Sequence, residues 1–433
     1  MFKTIFRTLR YRNFRLFFAG QGISVVGTWM LQVAMGWLVY RLTSSALLLG
    51  VVGFASQIPT FVLSPFAGVI ADRANRHRLL IVTQTLSMVQ ALILAALTLT
   101  GAIQVWHIIT LGFLLGCINS LDIPVRQSFL VELVEKKENL ANAIALNSLM
   151  FNSARLVGPS IAGIVVAVFG EGICFLINGI SFLAVIWSLA LMKVLPRQPR
   201  HKDTRILDGA REGFTYAFGF APIRFILSLL GVTSLVGMSY VVLMPVFARD
   251  ILKGGAQTLG FLVASAGVGA LIATVYLASR KTVLGLGRLI PISASTFAAG
   301  IMLFSLSRNL WLSMALLAVA GFGMMANMAA CNTILQTIAD DDKRGRVMSF
   351  YTMAFMGVAP LGSLIAGALA GRIGVTATLV IGGSLCIAAS AVFATKLPAI
   401  RALVHPIYRK IGIIPEVASG VNVASELVVP PED

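Results

Sequence analysis

The sequence predicts an all-α membrane protein whose twelve spanning helices form two six-helix bundles, and three observations carry that prediction. Of its 433 residues 58% are hydrophobic and only 12% charged, far more apolar surface than one soluble interior could hide. Twelve apolar runs each approach or exceed the roughly 20 residues that a helix needs to cross a hydrocarbon core. Lys and Arg gather in alternate gaps between those runs, which is how membrane helices are oriented.

The first six runs lie near 14–40, 47–71, 79–100, 105–122, 141–168 and 172–192, and the second six near 223–248, 256–279, 288–306, 310–335, 347–370 and 375–396. Each is expected as a helix, because unpaired backbone groups are costly in lipid. The opening MFKTIFRTLRYRNFR resembles a signal-peptide start, but the apolar run after it is of spanning length and shows no cleavage site, so it is expected to stay as the first helix. One side collects 28 of the 34 basic residues: the N-terminus, the gaps after spans 2, 4, 8 and 10, the central connection and the chain end. The other side has Arg41, Arg249, Lys253, Arg308 and Arg372, and Arg155 alone lies within a span. Both termini are therefore expected in the cytoplasm.

This pattern divides the chain into an N-terminal bundle (1–195), a cytoplasmic linker (196–221), a C-terminal bundle (222–397) and a cytoplasmic tail (398–433). In the linker, RILDGAREGFTYAFGF alternates apolar and charged residues at helical spacing, as an amphipathic surface helix does. The tail holds no spanning run and is expected to be loosely attached or disordered. A net charge of +17 would suit nucleic acid in a soluble protein; lying in the gaps between spans, it suits membrane lipid instead. The four cysteines sit singly in apolar runs and the four histidines are scattered, so no metal site, cofactor site or acid–base pair is expected and an enzyme is disfavoured. No GxxxxGK[ST] loop occurs, which disfavours ATP-driven pumping by this chain.

Gly163, Gly170 and Gly179 recur as Gly367, Gly374 and Gly383, each displaced by 204 residues, and FRLFFAGQGIS is loosely matched by IRFILSLLGVTS. Duplicated halves explain both matches.

Polar stripes mark where such bundles meet water or each other. Gln21, Ser24, Thr28 and Gln32 share one face of the first span; that face either lines a cavity or ties helices together. Ser148, Asn152, Arg155 and Pro159 form a second stripe on the fifth span. An unpaired Arg at mid-bilayer costs about 2.5–3.5 kcal/mol on insertion scales, so Arg155 implies a cavity, water or an anionic ligand, or else bonds to helix carbonyls or to Gln21 and Asn119. The GPxxxG run from Gly158 to Gly163 allows a close helix approach.

After the second span the chain reads GVIADRANRHRL, giving Gly68, Asp72, Arg73, Arg76 and Arg78. This resembles the loop 2/3 signature of the major facilitator superfamily, with Asn75 where the family usually has Gly; Asn is the residue that best tolerates a left-handed turn after Gly. GQGISVVGTWMLQVAMGWLVY, DIPVRQSFLVELV and NAIALNSLMFNSARLVGPSIAG resemble the branch that contains enterobactin exporters and macrolide-efflux proteins. The resemblance implies the major facilitator fold and a bacterial inner-membrane secondary transporter. It implies a small amphipathic substrate, siderophore-like or drug-like, exported by alternating access in exchange for protons. Asp72, or the pair Asp122 and Arg126, are the ionisable groups at hand for proton coupling, and the loop signature serves as a cytoplasmic gate. A lysolipid flippase or importer of the same fold, and a non-transporting receptor or scaffold, stay open as alternatives. The pocket is expected between the halves, lined by Gln21, Thr28, Gln32, Gln57, Asn119, Asn152, Arg155, Tyr240, Asn327, Tyr351 and Met353. A monomer is expected.

Overall fold

A computed structural model describes residues 7–134, 139–192, 214–280, 282–340 and 343–410, and within these the side chains of Gly68, Asp72 and Arg73 lie outside the described residues, as does linker segment 196–213. The described residues are nearly all helical and contain no strand. In chain order the helices are α1 (Arg12–Thr43), α2 (Ala46–Arg73), α3 (Arg76–Leu99), α4 (Val105–Glu132), α5 (140–169), α6 (171–190), α7 (Ala221–Val246), α8 (Ala256–Ala278), α9 (Leu286–Leu306), α10 (Leu310–Ile338), α11 (Arg344–Ile373) and α12 (Val375–Lys410). The helices α5 and α6 run on through Gly170, which alone leaves helical geometry (φ 80, ψ 171). Gly374, at φ 85 and ψ 159, does the same between α11 and α12. Both values fall in a region that is essentially glycine-only, so a single residue replaces a loop at each hairpin. Large apolar side chains point outward, among them Trp187 (70% exposed) and Trp311 (76%). Lipid is the solvent in which that surface is stable.

Two boundaries differ from the sequence reading by ten residues or more, and one turn differs in conformation. The helix α4 continues ten residues past the expected end at 122, to Glu132, because Val125, Phe129 and Leu130 bury in one cluster with Phe14, Phe17 and Leu80. Arg126 is thus part of a helix and not of a loop. The helix α12 continues to Lys410 through Pro398 and Pro406, since Ile400 and Val404 are buried on its inner face. Asn75 is not left-handed: at φ −71 and ψ 105 it is extended, and its side chain accepts a hydrogen bond from the Arg78 amide, capping α3.

The duplicated glycines have a structural use. At one end of the bundle α5 crosses α8 and α11 crosses α2, and these two crossings join the halves. A Cβ built on Gly260 would stand 2.5 Å from the Pro159 carbonyl oxygen and 2.9 Å from Cα of Gly163. A Cβ on Gly50 would stand 2.6 Å from the Ser363 carbonyl oxygen and 3.0 Å from Cα of Gly367. Pro159 and Ser363 are 204 residues apart, as are Gly163 and Gly367, while Gly50 and Gly260 are 210 apart. Gly179 against Leu92 and Gly383 against Met302 repeat the same two offsets inside the halves. The two crossings are therefore copies of one contact.

Candidate functional site

The seam between the halves is tight at the sparsely charged end and reaches mid-helix, where Gly267 of α8 meets the backbone of Arg155 and Leu156 and Gly357 of α11 meets the Phe61 ring. Past that depth, on the same helix faces, polar and flexible side chains are open. Ser148 is exposed, Asn152 half-buried with its Nδ2 donating to the Ser148 carbonyl at 2.8 Å, and Met353 is 48% exposed one turn from Gly357. On α1, Thr28 and Gln32 lie two turns and one turn before Gly36, which meets Pro245 of α7; Thr28 is half-buried and Gln32 exposed. Gln57 follows Gly53, the neighbour of Val242 and Ser363, by one turn and donates to its carbonyl at 3.2 Å. The seam thus closes at one end and widens toward the other.

Arg155 stands at the inner limit of that opening. Its guanidinium lies 5.7 Å from the Trp29 ring centre, a stacking distance. Among the described residues no carboxylate pairs with it, and neither Gln21 nor Asn119 bonds to it. Asn119 is half-buried. Tyr240 is 4% exposed and packs on Phe297 at 6.0 Å.

Three further residues expected in the pocket are, like Tyr240, placed in packed interiors. Asn327 accepts from Thr233 at 3.3 Å and donates to the Ile290 carbonyl at 3.1 Å, tying α10 to α7 and α9. The Tyr351 hydroxyl donates to the Met328 carbonyl at 3.2 Å. Gln21, 1% exposed, accepts from Arg126 at 3.4 Å inside the N-terminal half. Around that contact lies a buried polar cluster: Asp122 Oδ1 accepts from Thr83 at 2.8 Å and from Gln84 at 2.7 Å, and its Oδ2 stands 3.6 Å from Arg126 Nη1. Arg126 also lies over the Phe151 ring at 5.1 Å.

At the highly charged end Arg76 pairs with Glu132 of α4 at 2.6 Å, His77 contacts the Leu189 carbonyl at 2.8 Å, and Arg78 is exposed.

A protein-family model described as transmembrane secretion effector matches residues 3–425. The chain belongs to this major facilitator family. Among curated relatives of this transporter, the staphyloferrin A transporter of Staphylococcus aureus is 28% identical over 394 residues, covering 88% of this chain and 95% of its own length. The multidrug efflux pump Tap of Mycolicibacterium fortuitum is 24% identical over 89% of this chain and 94% of its own. Macrolide efflux protein A of Streptococcus pyogenes is 22% identical, covering 87% and 95%. Of solved structures, the POT family transporter PepTSo superposes with a TM-score of 0.72 at 14% identity, covering 90% of this chain and 99% of that one. A bacterial homologue of the lysosomal transporter Spinster, in an inward-facing and unoccupied conformation, gives 0.61 at 14% identity, covering 92% and 98%. At these identities the structures show a shared fold.

In this transporter the sparsely charged end carries a second tie that sequence reading missed. The Tyr40 hydroxyl donates to Asp250 across the halves, and Arg249 donates to the Tyr40 carbonyl and to Ser44, both at 3.2 Å. Arg249 and Asp250 sit in a five-residue π-helical turn, Phe247–Ile251, that ends α7. Arg41 is held within its own half by Glu171 at 2.7 and 3.2 Å. The scarcity of charge on that side was the available signal. Thr83, Gln84 and Glu132 were missed as well, because a polar residue in an apolar run does not reveal its partner.

Proposed function

We propose that the transporter exports a small amphipathic molecule, neutral or anionic and siderophore-like or drug-like, by alternating access coupled to proton antiport. It works from the bacterial inner membrane as a monomer, with both termini in the cytoplasm. The observation that carries the reading is Arg155: a cation at mid-depth, at the inner limit of an opening between the halves, over an aromatic ring and with no carboxylate partner among the described residues. A half-buried cation without a counter-charge is stabilised by an anionic or strongly polar ligand. The relatives named for siderophore and drug transport support an efflux role, and the separation at the end with most Lys and Arg supports loading from the cytoplasm. Alternating access needs only that the seam exchange ends around a fixed site.

The test compares Arg155→Gln and Arg155→Lys in everted vesicles taking up an anionic siderophore. A charge-assisted hydrogen bond is worth about 1.5–3 kcal/mol, so Arg155→Gln should lower uptake by about 10- to 150-fold and Arg155→Lys by less. Equal, wild-type rates in both variants remove the role of Arg155. Uptake that survives collapse of the proton gradient removes the antiport.

A further inference from the structure

We infer that Asp122 is a proton-binding group and that Gln84 and Arg126 hold its two protonation states in turn. The inference rests on the antiport reading above and assigns its proton to one carboxylate. Among the described residues Asp122 is the carboxylate set away from the helix ends: Glu132, Glu171, Asp250 and Asp340 all lie at a terminus or beside a connection. It is ten residues before the end of α4, about 15 Å along the axis, and 3% exposed.

Its surroundings suit two states. In the charged state Oδ2 faces Arg126 at 3.6 Å while Oδ1 takes the Thr83 hydroxyl and the Gln84 amide N–H. The same Gln84 amide has a buried oxygen, Oε1, with no hydrogen-bond partner. A proton on Oδ2 supplies the donor which that oxygen lacks. Acid and amide then close a ring of two hydrogen bonds, N–H to Oδ1 and Oδ2–H to Oε1. Arg126 meanwhile loses its counter-charge and keeps only the 3.4 Å bond to Gln21 and the Phe151 ring. Its side chain is 19% exposed, so it has a path outward. The Arg126–Gln21 bond is a side-chain tie between α4 and α1, and loosening Arg126 loosens that tie. The proton comes from water and returns to water through Oδ2, with no other bond made or broken.

The groups that face the cluster from its neighbours are otherwise neutral: Gln21 of α1, Thr83 and Gln84 of α3 and Phe151 of α5. The nearest other charged or titratable groups along these helices are Arg155, one turn beyond Phe151 and held over Trp29, Arg78 and Arg15, both exposed, Glu132, paired with Arg76, and His77, held by the Leu189 carbonyl. None of these pairs with Asp122, as Arg126 does at 3.6 Å.

The experiment is an infrared titration of the purified full chain in lipid, with no substrate, reading the protonated-carboxyl stretch. A component that grows on acidification is expected in the wild-type minus Asp122→Asn difference spectrum, and the same component in Asp72→Asn minus Asp72→Asn/Asp122→Asn. Arg126→Gln should alter the band, since Oδ2 no longer faces the guanidinium at 3.6 Å. Gln84→Leu should keep the band but shift it toward the frequency of an acid that donates no hydrogen bond. Thermal melting of each variant confirms folding. A difference spectrum between wild type and Asp122→Asn with no such component overturns the inference, and a component insensitive to Arg126→Gln overturns the pairing. The antiport reading fails separately, by siderophore uptake that survives collapse of the proton gradient.

Discussion

Replacing Gly260 by alanine puts a methyl group into the narrowest contact of the α5–α8 crossing. The new Cβ would lie 2.5 Å from the Pro159 oxygen and 2.9 Å from Cα of Gly163, short of an ordinary 3.4 Å contact by about 0.9 and 0.5 Å. Both opposing atoms are backbone, so relief requires the helices to separate, and overpacking of this size costs about 1–3 kcal/mol. That cost falls on the arrangement in which this end is shut. Where a second arrangement parts the crossing, the population moves toward it by about 5- to 150-fold. Double electron–electron resonance on spin labels at Ala102 and Arg308, near the shut end, and at Arg78 and Arg288, near the other, reads both ends. In Gly260→Ala the first distance should lengthen and the second shorten, and Gly50→Ala, its copy in the other half, should act alike. Gly371→Ala, with open space around its Cβ position, should change neither. Distance distributions in Gly260→Ala that match wild type, at an unchanged melting temperature, would refute the reasoning.

Two further outcomes follow from backbone geometry. Gly170→Ala and Gly374→Ala force a side chain into a glycine-only region and should each destabilise the protein by about 1–3 kcal/mol, read as a drop in melting temperature in detergent. Asn75→Ala should cost about 1 kcal/mol by removing the α3 cap, and Asn75→Gly only a few tenths; equal losses in the two variants would show that the cap is not what Asn75 contributes.

The spans were legible because hydrophobic length is a one-dimensional property, and the 204-residue glycine offset was legible because close helix approach leaves only glycine as an option. Direction was less legible. Gln21, Asn327 and Gln32 look alike in sequence, each a lone amide in an apolar run, yet the first two bond within a half and the third is exposed on the seam face. What separates them is which neighbour offers a carbonyl, a hydroxyl or a guanidinium, and that is a tertiary fact. The length of α4 was hidden for a related reason: Asp122, Pro124 and Arg126 read as the polar end of a span, whereas burial of Phe129 and partners for both charges keep the helix intact. The tail expected from residue 398 likewise starts later, because the inward side chains of Ile400 and Val404 carry α12 on to Lys410.

The two single-glycine hairpins also govern how the molecule can be handled. With Gly170 and Gly374 each standing in for a whole connection, the sparsely charged face offers no slack chain at either place for an inserted epitope, a protease site or a binding protein to grip. Tags meant to report on that face belong in the connections around Gly101 or Lys253, where the backbone already turns outside a helix.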